Sequence, residues 1–330
     1  MRCPIYSIRL PYAFQVKETV LMPMGTTLYG LLVYSLLNIE PRTSALMSPD
    51  GSVNDLKNLN MVYNQLLELI SMSTRIPRTS RVVSFRTVWK VIRYDRVQEL
   101  MSRYKRDYAK VCMHIFNNFI KQGTLTGVSD AMIKQLAYAN EIIISMISEG
   151  EAISLNLGTT GLTTNVRDLV KGLTYLTRLG DTESYCSVLN CYAVKDYEVI
   201  ELNKDAIIDS VNTVTILGSP NNQVLSLING AAIVTYFNSP LIGLFRTTPN
   251  YAIYALPLRA ESHIVHGKHV SVYVPSKYSL RSKIHGVYAI KYKSPIDREE
   301  VTHIFLPSYI TQLSLTKAPR TRRRKRRVKR

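Results

Sequence analysis

The sequence predicts an α+β fold whose first half is a sheet of the ferredoxin or RNA-recognition kind. Two observations carry this. The first half orders its elements as strand–helix–helix–strand and then strand–helix–strand. The second half breaks into short apolar, β-branched runs separated by Pro, Gly and Asn, such as "AIVTYF", "YAIYALPL", "HVSVYVP" and "HGVYAIKY", which read as sheet. A chain of 330 residues with 46% apolar side chains is long enough to bury a substantial core.

Taken in order, residues 5–16 ("IYSIRLPYAFQV") read as a strand, broken or bulged at Pro11. The stretch "VLMPMGTTLYGLLVYSLLNIE" that follows is uncharged until Glu40 and raises the question of a membrane span. Pro23 and Gly25 mark a turn, and from Thr26 the residues Leu28, Leu31, Leu32, Leu36 and Ile39 repeat at helical spacing. That gives a helix of about 14 residues, roughly 20 Å at 1.5 Å per residue. A span takes about 20 apolar residues, so a core helix is expected, capped by Thr26 or Thr27. Residues 41–57 read as a polar loop and 58–72 as an amphipathic helix.

Ser71 to Tyr94 then mixes β-branched and aromatic residues with six cations and no carboxylate, which predicts a basic hairpin. Val97, Leu100, Tyr104, Tyr108, Val111, Ile115 and Phe119 fall on one stripe of a helix over 96–122. After a loop around Gly123 and Gly127, "YANEIIISMIS" reads as a central strand. "NVRDLVKGLTYLTRLG" reads as a helix stopped by Gly180, and "SYCSVLNCYAV" as a strand.

The net charge of +18 is concentrated in two places. Residues 71–110 hold eleven basic and three acidic side chains, and residues 317–330 hold ten basic and none acidic. Two blocks of this kind are footprints for a polyanion. In the first block Arg75, Arg78, Arg81, Arg86, Lys90 and Arg93 alternate with Phe85, Trp89 and Tyr94. Arginine forks phosphate and aromatic rings stack on bases, a combination suited to single-stranded RNA. The tail "KAPRTRRRKRRVKR" has too little apolar surface to fold alone and is expected to be disordered when free. It could hold RNA, neutralise an acidic neighbour, or simply repel.

Enzyme signatures are missing. No P-loop, GxGxxG, HExxH or GxSxG occurs. Cys3, Cys112, Cys186 and Cys191 form no CxxC pair, which fits a reducing, cytoplasmic setting. "HIVHGKH" spaces His263, His266 and His269 at i, i+3 and i+6, a metal spacing only on a helix, and Gly267 argues against a helix there. No cofactor, metal or catalytic residue is assigned. A metal-independent RNA cleavage by Tyr, Lys or His leaves little trace in sequence and stays open.

Pro23 to Leu31 ("PMGTTLYGL") and Arg178 to Ser184 ("RLGDTES"), in this order, resemble the fifth family of CRISPR-associated proteins, nearest its archaeal, type I-A-like members. The family is the subunit of the Cascade surveillance complex that caps the 5′ handle of the guide RNA. The two motifs cover about twenty residues, and similarity of element order reaches about residue 215. The resemblance implies a repeat-associated (RAMP) ferredoxin-like domain over 1–210 with a protruding basic thumb, to which this sequence adds a helical insertion, the two together at about 71–135. A β-rich region over 211–316 and the tail 317–330 follow. Contacts to the guide's 5′ handle, the backbone subunit and the large subunit are implied, with target DNA engaged indirectly and no membrane. The helical insertion and the arginine-rich tail depart from the family.

The function expected is a non-catalytic RNA-binding subunit. Its candidate contacts are Gly25, Thr26, Thr27, Arg75, Arg78, Arg81, Arg86, Trp89, Lys90, Arg93 and Arg178. At Gly25–Thr27 free helix N-terminal amides and two hydroxyls suit a phosphate, or serve only as a cap. The alternative is a metal-independent endoribonuclease that processes precursor guide RNA. A more distant one, suggested by the tail alone, is a ribosomal or RNA-chaperone-like basic protein.

Overall fold

The computed structural model describes residues 1–8, 16–17, 19–40, 43, 56–92, 94–122, 129–148, 150–157, 160–180, 184–203, 205–217, 228–237, 251–281 and 287–305. It is an α+β structure dominated by strands. Strands β1 (Arg2–Tyr6) and β2 (Val16–Lys17) precede helices α1 (Gly25–Ile39) and α2 (Leu56–Leu69). Next come β3 (Ile70–Arg75) and β4 (Val82–Ile92), helices α3 (Tyr94–Arg103) and α4 (Tyr108–Gln122), and β5 (Ser129–Ala139). Then follow β6 (Ile143–Ser148), β7 (Ala152–Leu157), β8 (Thr160–Asn165), α5 (Val166–Gly172) and β9 (Tyr185–Ser187). The remainder is β10 (Tyr197–Leu202), β11 (Ile207–Ser210), β12 (Val214–Leu217), β13 (Ile228–Asn229), β14 (Ala232–Phe237) and β15 (Tyr251–Leu256). It closes with β16 (Leu258–Val265), β17 (Lys268–Pro275), β18 (Tyr278–Arg281), β19 (Val287–Lys293) and β20 (Glu300–Phe305).

The central sheet has the order β16–β17–β4–β5–β1–β9, with β2 lying parallel against β5. All its other pairings are antiparallel. One face is covered. Cys3, Tyr6, Val82, Ala137, Ala139, Cys186 and Leu258 meet Met22, Met24, Leu28 and Leu31 of the first-helix region in the largest core cluster. Helix α1 is therefore a packing element. Leu28, Leu31, Leu32 and Leu36 are buried along it, and its other apolar side packs with Val62 and Leu66 of α2. No helix of the described residues is long and apolar enough to cross a membrane.

Several expectations change. The helix cap is Met24, with extended backbone and no side-chain hydrogen bond, so neither Thr26 nor Thr27 caps; both lie inside the first turn. The basic hairpin does not form. β3 pairs with β6, whereas β4 pairs with β5, and these lie in different sheets. "YANEIIISMIS" is likewise two strands in two sheets, divided at residues 140–142. The second helix ends at Leu69, and its expected last turn begins β3.

The long helix over 96–122 is two helices. Lys105 and Arg106 both take positive φ, which turns the chain between them. Helix α5 stops at Gly172, before the expected glycine stop. Gly180 instead has φ of +95° and bridges to Ser7 of the first strand segment, where a Cβ would lie 2.2 Å from the Ser7 carbonyl oxygen. "HIVHGKH" spans the β16–β17 hairpin, with His266 and Gly267 at its two-residue turn, both at positive φ as that turn demands. The break at Pro11, the glycine loop around 123–127 and the tail 317–330 lie outside the described residues, as does most of the 41–57 loop.

The boundary expected at 210 does not separate one core from another. Tyr254, Leu256 and Leu258 belong to the core of the first half, and β17 pairs with β4. A further cluster does serve the later strands, with Leu202, Ile208, Tyr278, Leu280 and Ile304. Polar contacts bind the two regions as well. His303 is fully buried between the hydroxyls of Ser71 (2.9 Å) and Ser73 (3.1 Å). The Thr213 hydroxyl accepts from the Thr74 amide at 2.8 Å.

These contacts lead to two predictions. At Gly172 a Cβ would come within 2.1 Å of Ser35 Oγ and 2.7 Å of the Ser35 carbonyl oxygen, where α5 crosses α1. Gly172→Ala should destabilise the fold by about 1–3 kcal/mol through this overlap, read as a lower midpoint of denaturant unfolding. Burial pushes the His303 pKa from 6.5 down to about 3. The unfolded chain then binds this proton at a pH where the folded chain does not. Stability should fall by about 1.4 kcal/mol per pH unit as pH drops from 6.5 towards 3. His303→Gln should flatten that stretch of the profile in equilibrium unfolding measured across this window.

Candidate nucleic-acid interface

Side chains alternate between the faces of a strand. With Val82, Ala137 and Ala139 facing the core, Val83, Phe85, Leu136 and Tyr138 face the other way. Phe85 and Tyr138 are diagonal neighbours across β4 and β5, since Phe85 sits opposite Leu136 and Tyr138 opposite Val83. In β1 the register shifts between Cys3 and Tyr6, so a bulge at Pro4–Ile5 faces Tyr138. Ile5 pairs with Tyr185 of β9. The result is a row of apolar and aromatic side chains across four adjacent strands. Phe85, Tyr138, Ile5 and Tyr185 are 41%, 42%, 40% and 68% exposed. The face is not bare throughout: Leu136, Lys134 and Val274 are buried on it.

Cations border the row. Arg2 is exposed on β1 opposite Ser187. Arg81 precedes β4 and is held by its own turn, donating to the carbonyls of Arg78 (2.7 Å) and Ser80 (2.9 Å). Arg259 on β16 donates to Glu261 at 2.7 Å, and His263 lies 3.7 Å from the same carboxylate. The Arg259 hydrogen bond, with the positive charges of Arg259 and Arg81, holds Glu261 below the usual carboxylate range. An exposed aromatic row on a sheet, edged by arginines, is a surface on which unpaired bases stack while phosphates meet guanidinium groups.

The residues expected from the sequence are only partly brought together. Arg75 is corrected: it is 1% exposed and forks Asp297 with both guanidinium nitrogens, with further bonds to Ser294 (2.8 Å) and Glu299 (3.2 Å). A buried guanidinium so engaged is a structural clamp and presents nothing to a phosphate. Burial works against the charge of Asp297, but hydrogen bonds from Arg75 and Ser294 and the Arg75 charge hold its pKa below the usual range. Arg78 is exposed and pairs with Glu299 at 2.7 Å.

Arg86 is exposed on β4 in register with Gln135, on the side of the strand opposite to Phe85. Trp89 and Lys90 lie in the outer half of β4 with side chains outside the described residues, and Arg93 is outside them altogether. Gly25, Thr26 and Thr27 begin α1 against the covered face, apart from the aromatic row. Arg178 is exposed beside buried Leu179, where its segment docks on β1.

Sequence reading missed Ile5, Tyr138 and Tyr185. A signal was present in "KQLAYA", where large Leu136 and Tyr138 alternate with small Ala137 and Ala139. The strand expected over 138–148 begins at Tyr138, which hides this alternation.

Two described histidines outside this row are held by hydrogen bonds. His114 lies between Tyr104 (3.0 Å) and Asn118 (3.1 Å), and His303 between two serines. Among the described residues no group of three or more His, Cys, Asp or Glu is arranged to hold a metal ion. No family model matches the chain, and no curated protein matches its sequence.

Truncating the row gives a direct test. Phe85→Ala and Tyr138→Ala should each weaken binding of a short single-stranded RNA by about 1–3 kcal/mol. The melting temperature should change little, because both rings are exposed. Fluorescence anisotropy with thermal unfolding alongside separates lost stacking from lost folding.

Proposed function

We propose that this chain is a non-catalytic RNA-binding subunit of a type I CRISPR surveillance complex that holds the 5′ handle of the guide RNA and bridges the backbone and large subunits. The observation that carries the reading is the exposed row Phe85–Tyr138–Ile5–Tyr185, edged by Arg2, Arg81 and Arg259. The strand order agrees with it. The order β9–β1–β5–β4, with α1 and α2 between β1 and β4 and α5 between β5 and β9, supports reading these elements as an antiparallel βαββαβ unit of the ferredoxin-like kind. Such a domain is what the RAMP reading calls for.

Both sequence motifs also converge on the first strand segment. Met24, Leu28 and Leu31 of the first motif share a core cluster with Leu179 of the second. Ser184 accepts the Ser7 amide at 3.0 Å, and Gly180 lies against the Ser7 carbonyl. The β4–β5 ladder, eleven residues long and ending in α3–α4, is the element that would serve as the thumb in this reading.

The proposal rests on binding without cleavage. Purified protein incubated in EDTA with a precursor RNA carrying one repeat should bind the handle fragment and leave the precursor intact. Site-specific cutting under these conditions would establish the endoribonuclease instead. The affinity should fall steeply with salt, because phosphate contacts release counterions. Arg81→Ala with Arg259→Ala should reduce the slope of log affinity against log salt by about one to two. An unchanged slope would remove these two residues from the handle site.

A further inference from the structure

The end of the β4–β5 ladder carries a feature that RNA binding does not use. Helices α3 and α4 pack on each other through Leu100 and Val111, with Val97, Met101, Tyr104 and Ile115 around them. At 100° per residue, Val111, Ile115 and Asn118 form the side of α4 turned to α3. The adjacent arc of about 120° is apolar and uncovered. It holds Ala109, Cys112, Met113, Phe116, Phe119 and Ile120, all of them exposed. Met113, Phe116 and Ile120 are 57%, 57% and 63% exposed. A large apolar side chain at i, i+3 and i+7 on one exposed helix face is the pattern by which helices dock into partners.

We infer that this stripe of α4 is a docking surface for an amphipathic helix of a partner protein that bears acidic residues along one edge. The charges select this occupant. α4 has no carboxylate, and Lys110, Asn117 and Lys121 run along the edge of the stripe next to Met113 and Ile120. In the turn before it, Lys105 and Arg106 add two more cations, while Asp107 pairs with Lys110 at 3.1 Å, so the segment 105–121 carries four cations and one carboxylate.

A second copy of the chain fits poorly. Antiparallel pairing of two α4 stripes sets Lys110 against Lys121 at both ends. A strip about 22 Å long and one helix wide is also well below the roughly 800 Å² per partner of a stable dimer. A lipid surface fits less well, because the other flank is α3, where Asp95 and Glu99 offset Arg96 and Arg103 and leave no net positive charge. Nucleic acid is disfavoured because four of the six stripe side chains, Ala109, Cys112, Met113 and Ile120, give a base no ring to stack on, and only Phe116 and Phe119 could do so. The inference stands on the α3–α4 module alone and does not depend on the RNA-binding reading.

The native cysteines provide the readout. Cys112 lies in the stripe and Cys191 lies elsewhere; both are exposed, while Cys3 and Cys186 are buried. The probe is a helix-stapled peptide with Leu anchors at i, i+3, i+4 and i+7 and Glu along one edge. Its control carries Lys on that edge. With the full chain, the Glu peptide should bind at least tenfold more tightly than the Lys peptide by fluorescence anisotropy. It should slow iodoacetamide alkylation of Cys112 and leave Cys191 unaffected. Phe116→Ser with Ile120→Ser should weaken binding at least tenfold; Met113→Ser serves as a second variant, and the alkylation test needs no variant at all. Equal binding of both peptides, or no protection of Cys112, overturns the inference. So does a concentration-dependent dimer, or binding to phosphatidylglycerol vesicles, that the serine variants abolish.

Discussion

A buried guanidinium holds the two halves of this protein together. Arg75 ends β3, is almost fully enclosed, and is gripped by Asp297, Glu299 and Ser294 from the turn between β19 and β20. A charge in that position is tolerable only with its partners, and removing one side of such a pair costs about 3–5 kcal/mol. Residues 76–81 follow directly, so the clamp also fixes where β4 begins and where Arg78 and Arg81 emerge. Arg78 completes the arrangement by pairing with Glu299. The surface cations thus depend on a clamp between segments more than two hundred residues apart in sequence.

This explains which elements were legible beforehand. Helix α1 could be read because its apolar residues repeat locally and Pro23 limits its length; its burial against β1 and α2 follows from that face. The strands of the second half were legible from their β-branched runs. What could not be read was pairing. β3 and β4 are adjacent in sequence, rich in the same residues, and separated by a turn, so a hairpin was the local expectation. The partners chosen instead, β6 and β5, lie beyond both helices of the α3–α4 module. No local pattern encodes that choice. It is fixed by burial, with the Val82 side of β4 and the Ala137–Ala139 side of β5 completing one core.

Charge density misled for a related reason. An arginine in a basic run reads as exposed when its neutralising carboxylates are distant in sequence. Arg75 belongs to the basic segment 71–110 and is the least accessible cation among its described residues. The aromatic component had the opposite fate. Phe85 was expected within a basic hairpin and is exposed on a sheet, but its companions come from β5, β1 and β9. A composite surface of this kind has no sequence motif, because each strand contributes one side chain. The alternation within each strand is its only trace.

The sheet separates tasks by face and by end. Its covered face carries the core and the segments 23–31 and 178–180, which accordingly contribute packing: Gly180 has no room for a side chain against Ser7, and Leu28 and Leu31 are buried. Its other face carries the exposed aromatic row. The outer end of the β4–β5 ladder carries a two-helix module with its own small core. A change in that module is insulated from the central core by the length of the ladder, so its apolar stripe is under no folding constraint. Exposed Phe116 and Ile120 cost solubility and add nothing to the interior. Retaining them is physically reasonable where a second molecule covers them, which sets the inferred attachment point at the end of the ladder, apart from the aromatic face proposed for RNA.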